Sequence, residues 1–283
     1  MVVMAVLLLA LTACGRTDQG KQEKSTDISS HLTYEDSMEL AYAEKFSVDY
    51  YAEGYSLITI ADTDRYLLIP EGGSCPEDLD KEIVPLYQPL DNIYLVASAV
   101  MDMFISMDAL DTVRFTGTKE DGWYLDEAKK AMENGEILYA GNYSSPDYEQ
   151  ILAEDCGLTI ENTMIYHTPE VKEQLEKFEI PVLVDYSSYE TEPLGRTEWV
   201  KLYGLLTGRE EEAQAAFSRE LKAFDAIGEA QNTGKTVAFF YITSNEEVNV
   251  RKASDYLPKM IKLAGGEYIF SDLGDKMTQH LLQ

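Results

Sequence analysis

The clearest pattern in the chain is a short apolar run, then a polar loop, then a helical repeat, over residues 180–208. Pro181–Tyr186 is rich in valine, which predicts a strand buried on both faces. Ser187–Gly195 is polar and interrupted by proline, and predicts a loop. From Trp199 onward, apolar residues recur every three or four positions until Gly208, as in an amphipathic helix. Because open α/β sheets bind ligands at the carboxyl ends of their strands, we expect this loop to form one wall of a ligand cleft.

The same alternation of apolar runs and helical repeats begins at Asn92. It predicts four further strands, each followed by a helix, and therefore βαβ units and a parallel sheet. Ser145 and Pro146 are predicted to be the N-cap and first residue of the third of these helices. The four predicted strands are Ile93–Ala97, Val113–Phe115, Ile137–Ala140 and Leu158–Ile160.

Upstream of Asn92 the pattern is different, because short alternating segments are separated by turn residues. These segments predict a β-meander, and Leu79–Pro89 is predicted to be a crossing segment punctuated by proline. The meander and the βαβ units together predict one N-terminal α/β lobe over residues 34–208. The predicted meander strands are Phe46–Tyr51, Ser56–Ala61 and Tyr66–Ile69.

A long amphipathic helix, Arg209–Gly228, follows the first lobe. It predicts a rigid bridge between lobes, within an interlobe segment 209–231. Residues 232–283 predict only two parallel strands and one crossover helix, which are too few to bury a domain core. We therefore expect a second α/β lobe that is incomplete at Gln283, so that the sequence is a fragment of a longer protein.

The N-terminus carries a targeting signal. Residues 2–13 are almost wholly apolar but too short to span a bilayer, which predicts a signal peptide over residues 1–14. The tetrad that ends at Cys14 resembles the bacterial lipobox and predicts lipidation of that cysteine. The absence of Lys or Arg before the apolar run leaves open whether Met1 is the true start. The polar residues 15–33 predict a flexible tether between the anchor and the folded body.

Composition narrows the function classes. The formal net charge of −28 disfavours nucleic-acid partners. The chain has no GxSxG, HExxH, GxGxxG or CxxC motif, and its 3 histidines are too few for a histidine-based metal site. We therefore predict no catalytic residues and no metal centre. The residues leave open whether Cys75 and Cys156 pair.

Tyrosine is the unusual component, with 19 in the chain. Several aromatic residues fall in loops after predicted strands, which favours a broad, partly apolar ligand. Arg196 is a candidate for binding an anionic group of the ligand, or alternatively for tying its loop to a neighbouring acid. The aromatic residues predicted to contact the ligand are Trp123, Tyr124, Tyr143, Tyr166 and Tyr189.

Four segments resemble the iron-siderophore and cobalamin class of substrate-binding proteins of bacterial ABC importers. They are the lipobox at Cys14, YSSPDYEQIL (Tyr143–Leu152), PLGRTEWVKLYGLLTG (Pro193–Gly208) and AGGEYIF (Ala264–Phe270). The resemblance covers most of the chain after Asn92, and the PLGRTEW block is its most specific part. It implies two α/β lobes with parallel sheets flanked by helices and joined by one long helix, with the ligand between the lobes.

The resemblance also implies a function: capture of an iron-siderophore, haem or corrinoid at the outer face of the cytoplasmic membrane and delivery to an ABC permease with its ATPase. Glu149 matches the position that meets the permease, and the second lobe's counterpart would lie beyond Gln283. Two alternatives stay open: an extracellular lipoprotein enzyme such as a glycan hydrolase, and a sensor lipoprotein that does not take part in transport.

Overall fold

The computed structural model describes residues 28–228, 232–273 and 279–280. Its first lobe contains two five-stranded sheets. The first, which we call the meander sheet, has the strand order β1-β2-β3-β4-β5, with β1 to β4 antiparallel and β5 parallel to β4. These strands are β1 Tyr34–Ser37, β2 Phe46–Tyr51, β3 Ser56–Ile60, β4 Asp64–Ile69 and β5 Ile83–Tyr87.

The predicted meander is confirmed, and the predicted crossing segment Leu79–Pro89 contains a strand that was not predicted. Residues 83–87 form β5 in spite of Pro85, because β5 lies at the edge of the sheet. An edge strand tolerates proline since its outward amide has no ladder partner to lose.

The second sheet, the parallel sheet, has the order β12-β11-β6-β7-β8. Its strands are β6 Ile93–Leu95, β7 Val113–Thr116, β8 Leu138–Tyr139, β11 Thr159–Asn162 and β12 Val182–Asp185. The helices between them are α1 Met101–Ser106, α2 Asp126–Glu133, α3 Tyr148–Ala153 and α4 Pro169–Lys177. The predicted α/β class with a parallel sheet and flanking helices is confirmed.

The start of α3 differs from the prediction. Ser145 and Pro146 do not open the helix; they form strand β10 (Ser145–Pro146), which pairs with β9 (Gly141–Asn142). Asp147 caps the helix instead, since its Oδ1 accepts a hydrogen bond from the amide of Gln150 at 3.1 Å. A carboxylate that binds the free amides of the first turn is a favourable N-cap.

Three buried clusters hold the first lobe together. The largest joins the inner face of the meander sheet, including Ile58 and Leu68, to Ile160 and Leu183 of the parallel sheet and to Trp199. A second cluster covers the other face of the parallel sheet beneath α3 and α4. A third lies on the outer face of the meander sheet. Alternate residues of β3 and β4 therefore enter different clusters, as the period of a strand requires.

The PLGRTEW block is helical from its proline onward, so the predicted loop Ser187–Gly195 ends earlier than expected. Helix α5 spans Pro193–Glu198, α6 spans Val200–Thr207 and α7 spans Glu210–Gly228. Gly208 ends α6 at φ +67°, a left-handed conformation that glycine adopts without steric cost. A Cβ at Gly195 would lie 2.8 Å from the carbonyl oxygen of Tyr42, so only glycine allows α5 to approach the β1–β2 connection, residues 38–45.

The predicted tether over residues 15–33 is too long at its C-terminal end. Ile28 is 2% exposed and belongs to the cluster on the outer face of the meander sheet. Ser29 Oγ and Ser30 Oγ both donate to the carboxylate of Asp78. The apolar Ile28 and Leu32 give this stretch a buried face, so it is part of the folded lobe. The predicted signal peptide and lipidated Cys14 lie outside the described residues.

The second unit begins after α7. Strands β13 (Lys235–Val237) and β16 (Gly266–Tyr268) are parallel and are connected through α8 (Tyr256–Leu263), as the sequence predicts. An antiparallel sheet of β14 (Phe240–Ile242), β15 (Val248–Val250) and β17 (Gln279–His280) was not predicted, because the single strand expected over Val237–Ile242 is divided between the two sheets. The side chains of β14 are 50–65% exposed, so this unit buries little apolar surface.

Cys75 and Cys156 are both free thiols, and they lie in different parts of the first lobe. Across residues 28–228, 232–273 and 279–280, no helix has both the length and the apolar composition needed to cross a bilayer.

Candidate ligand cleft

A cavity of about 740 Å³ lies where the loops after β11 and β12 face the second unit. The first lobe contributes Thr163, Tyr189, Glu190 and Arg196 to its wall, and the second unit contributes residues 251–257. The first-lobe residues follow the carboxyl ends of parallel strands, so the cavity is at the edge where the sequence predicts it.

A buried aspartate fixes the loop after β12, which we call the cleft loop (residues 186–190). Asp185 is 3% exposed and accepts hydrogen bonds from Ser187 Oγ at 2.8 Å and from the phenol of Tyr203 at 2.7 Å. Burial raises the pKa of Asp185, although these hydrogen bonds oppose the shift. The two bonds join the start of the cleft loop to helix α6, so the loop has a defined position.

Arg196 connects the cleft loop to the second unit. Its Nε donates to the carbonyl of Glu190 at 3.1 Å and its Nη2 donates to the carbonyl of Ser188 at 2.6 Å. The guanidinium carbon lies 3.8 Å from the ring centroid of Tyr256, a cation–π distance. Burial lowers the pKa of Arg196. Of the two roles predicted for Arg196, the structure shows a tie within the loop, made through carbonyl groups and not through an acid.

A smaller cavity of about 280 Å³ lies on the other side of Arg196. Asp102 and Met103 of α1, Ser188 of the cleft loop and Phe217 of α7 contribute to its wall. Arg196 and Ser188 therefore contribute to the walls of both cavities.

Two buried glutamates support this arrangement, and the sequence does not predict their role. Glu190 accepts from the amides of Glu44 at 3.0 Å and Lys45 at 2.8 Å. Glu198 accepts from the amides of Ala41, Tyr42 and Ala43 and from Lys201 Nζ. Burial opposes ionisation of Glu198, but the bonds from Lys201 and from the amides lower its pKa overall. Both carboxylates are occupied with holding the β1–β2 connection, so neither is available to a ligand.

The aromatic residues predicted to contact a ligand do not form one surface. Tyr189 is 53% exposed beside the larger cavity, and its ring lies 5.4 Å from that of Tyr186. Tyr166 is exposed after β11, and Tyr124 is almost fully exposed at 97%. Tyr143 is half-buried against the cluster beneath α3 and α4. Tyr189 alone among the five predicted aromatic contacts lines this cavity.

Trp123, which the sequence predicts to contact the ligand, lies in the core and not in the wall of the larger cavity. Trp123 is 5% exposed and belongs to the largest buried cluster, together with Ala128 and Ala131 of α2. The small side chains on this face of α2 leave room for the indole. Its Nε1 has no hydrogen-bond partner among the described residues.

Glu161 is another buried glutamate whose role the sequence does not predict. It lies on β11, is fully buried, and neither carboxylate oxygen has a hydrogen-bond partner in the described part of the chain. Burial alone raises its pKa to about 8, so it is mostly protonated at neutral pH. Glu161 directly follows the predicted strand Leu158–Ile160, and this position was the available signal in the sequence.

Glu149 is exposed in the first turn of α3. It is therefore accessible to a partner, although the described structure contains none that would test this role. Within the described ranges, no cluster of three or more His, Cys, Asp or Glu side chains could hold a metal ion.

The chain has the fold of two-lobed periplasmic binding proteins. It is similar to the periplasmic haem-binding protein HutB of Vibrio cholerae, with 17% identity and a TM-score of 0.51, over 63% of this chain and 65% of that one. It is also similar to the catecholate-siderophore-binding protein VctP of the same organism, with 15% identity and a TM-score of 0.52, over 70% and 68% of the two chains. A periplasmic binding protein of Veillonella parvula gives 16% identity and a TM-score of 0.54, over 68% and 65%.

No protein-family model matches the chain. A sequence relative is an uncharacterized lipoprotein, MJ0878, of Methanocaldococcus jannaschii, 23% identical over 263 residues. The match covers 83% of this chain but 62% of the relative, so the chain spans less than two thirds of that protein's length.

Proposed function

We propose that this protein is an extracytoplasmic substrate-binding lipoprotein that captures an iron complex or corrinoid and delivers it to an ABC permease. The observation that carries the proposal is the cavity of about 740 Å³ between the carboxyl edge of the parallel sheet and the second unit. Its volume is in the range of small-molecule sites. The fold of HutB and VctP, which by their names bind haem and a catecholate siderophore, supports the same class of ligand.

The charges at the cavity favour an anionic iron chelate or haem over a corrinoid. Arg196, Arg251 and Lys252 all contribute to its wall, although the chain has only 23 basic residues against 51 acidic ones. The acids nearby are engaged, since Glu190 binds backbone amides and Asp255 lies 3.6 Å from Arg251. A carboxylate- or catecholate-bearing ligand would meet cations in this cavity.

The same arrangement weighs against a glycan hydrolase. Such an enzyme needs two carboxyl groups that converge on the bond to be broken. The carboxylate of Glu190 is committed to the β1–β2 connection and that of Asp255 to Arg251. A sensor lipoprotein would use the same cavity, and reconstituted transport is what separates it from an importer component.

Lipidation at Cys14 and docking through Glu149 complete the proposal. The lipid would hold the protein at the outer face of the membrane, and the name of the archaeal relative supports an anchor. Glu149 lies on an exposed turn, where a permease arginine could reach it.

The experiment is a thermal-shift and titration series with a ferric catecholate siderophore, haem and cobalamin. We expect the anionic ligands to stabilise the parent protein, and the double substitution Arg251→Gln and Lys252→Gln to weaken that effect. Lys222→Gln, which removes one charge from an exposed position of α7, is the control. Stabilisation by cobalamin alone would overturn the preference for an anion, and no stabilisation by any of the three would overturn the proposal.

A further inference from the structure

Three side-chain oxygens from separate elements lie in a row at the carboxyl edge of the parallel sheet. The phenol oxygens of Tyr166 and Tyr186 are 3.3 Å apart, and the phenol of Tyr166 is 3.4 Å from Oδ2 of Asp64. These contacts are long for hydrogen bonds between oxygens, so mutual hydrogen bonding accounts poorly for the arrangement.

Each of the three donors is held by a defined piece of backbone. Asp64 opens β4, directly after the tight turn in which Ala61 and Asp62 have positive φ. Tyr166 lies on a single helical turn, residues 163–167, which is capped by Asn162 through the amide of Met164. Tyr186 directly follows β12, next to the buried Asp185. The juxtaposition therefore depends on both sheets of the first lobe.

We propose that Asp64, Tyr166 and Tyr186 form a binding site for a hard trivalent cation, Fe³⁺. The ion would be bound directly by these side chains, without a porphyrin. Neighbouring oxygens that bind one ion at roughly 2 Å lie about 3 Å apart, close to the two separations of 3.3 and 3.4 Å observed here. Carboxylate and phenolate are hard oxygen donors, and tyrosine is an established ligand of ferric iron. Tyr166 is 45% exposed, so an ion has access and water can complete the coordination.

Binding at this site is an exchange of protons for metal. Each phenol loses its proton when it coordinates, so one Fe³⁺ replaces two phenol protons. Weakly polarising ions such as Mg²⁺ and Ca²⁺ do not displace phenol protons, so the site discriminates against them.

This inference goes beyond the proposed function, because it places iron on the protein itself and outside the cavity lined by Arg196. It rests on that function only for the expectation that the protein meets iron. A site of this kind would hold Fe³⁺ that has been released from a chelate. Alternatively, its oxygens would coordinate Fe³⁺ at the positions that an incomplete chelate leaves open.

The test is titration of the metal-free protein with ferric nitrilotriacetate, followed by visible absorption. Coordination by tyrosine gives a phenolate-to-iron charge-transfer band, whereas adventitious binding to the many surface carboxylates gives none. We expect the band in the parent protein, a loss of about half its intensity in Tyr166→Phe or Tyr186→Phe because one of two phenolates remains, and no band in the double variant. Asp64→Asn should weaken binding and keep the band.

Tyr241→Phe is the matched control, since this exposed tyrosine lies on β14 and its phenol accepts a hydrogen bond from Asn249 at 3.0 Å and none from the three donors. Its band should equal that of the parent. Circular dichroism verifies folding, and Asp64→Asn supplies an independent arm if a phenylalanine variant fails to fold. A parent protein without the band, or a double variant that keeps it, overturns the inference. Siderophore titrations on the same variants distinguish this failure from failure of the proposed function, because the cavity residues are unchanged.

Discussion

The indole Nε1 of Trp199 donates a 3.0 Å hydrogen bond to Oε1 of Glu190, and both side chains are buried. The same carboxylate accepts the amides of Glu44 and Lys45, while the carbonyl of Glu190 accepts from Arg196. One residue therefore joins the cleft loop, the start of the bridging helices and the β1–β2 connection. The first-lobe wall of the cavity is consequently held by the core of that lobe.

Replacing Glu190 should destabilise the first lobe strongly. Glu190→Ala leaves two amides and the indole without an acceptor, at about 1–3 kcal/mol for each buried group. Urea unfolding of the purified protein measures the loss. Glu192→Gln is the control, because Glu192 is half-exposed and pairs with Lys259 at the surface, which contributes about 1 kcal/mol or less. A Glu190→Ala variant as stable as Glu192→Gln would show that water replaces these bonds.

The sequence predicted those parts of the fold that local patterns determine. The strands of the parallel sheet and the helices between them, the meander and the long helix α7 follow from the spacing of apolar residues. The role of Glu190 and Glu198 could not be predicted, because their partners lie about 150 positions away in the sequence. These partners are backbone amides, which every residue except proline has, so the residue types do not reveal them. Trp123 was misplaced for a related reason: a loop position does not reveal which way an indole points, and here the alanines of α2 receive it.

Glu161 should make the stability of the protein depend on pH. Burial raises its pKa from 4.5 to about 8, so between these values the folded state holds a proton that the unfolded state has lost. The contribution of protonated Glu161 to the free energy of unfolding is therefore fully present below about pH 4.5. It is lost as the pH rises to about 8, by at most about 1.4 kcal/mol per pH unit. Urea unfolding at pH 5.5 and pH 7.5 should show the parent less stable at the higher pH.

Glu161→Gln should remove most of this slope, because the amide keeps the shape and does not titrate. Glu173→Gln, on the exposed face of α4, should leave the pH dependence of the parent unchanged. If Glu161→Gln and the parent have the same slope, Glu161 is solvated in the folded protein.

Arg196 should couple the cleft loop to the second unit. Arg196→Ala removes two hydrogen bonds to loop carbonyls and the contact with Tyr256. We expect faster amide hydrogen exchange in residues 186–190 and weaker binding of an anionic chelate, with exchange in β6 and β7 unchanged. Lys259→Gln removes another contact between the first lobe and the second unit and serves as the control. Exchange that rises equally in both variants would assign the effect to separation of the units and not to the loop bonds.

Cys14 should carry the membrane anchor. Cys14→Ala, in the protein with its native leader, should abolish incorporation of labelled palmitate and release the protein from the membrane fraction. Cys75→Ala should have neither effect. Label that persists in Cys14→Ala would mean that the apolar N-terminal run is not followed by a lipobox.

Glu149 should be needed for delivery of the ligand and not for its capture. It is exposed in the first turn of α3, outside both cavities, so Glu149→Gln should leave chelate affinity unchanged. If it pairs with a permease arginine, loss of the charge should reduce transport by the reconstituted importer. The reduction should be larger at low salt, because charged contacts between exposed groups are least screened there.

Glu170 provides the matched comparison for this experiment. It too is an exposed acid in the first turn of a helix, α4, so Glu149→Gln and Glu170→Gln each lose the same favourable interaction with the helix dipole, about half a kcal/mol. Equal losses of stability with a transport defect in Glu149→Gln alone would assign the defect to docking. Equal transport in both variants would limit Glu149 to a local role at the helix start. Weaker chelate binding in Glu149→Gln would instead place the residue in contact with the ligand, which its position on the outer turn of α3 argues against.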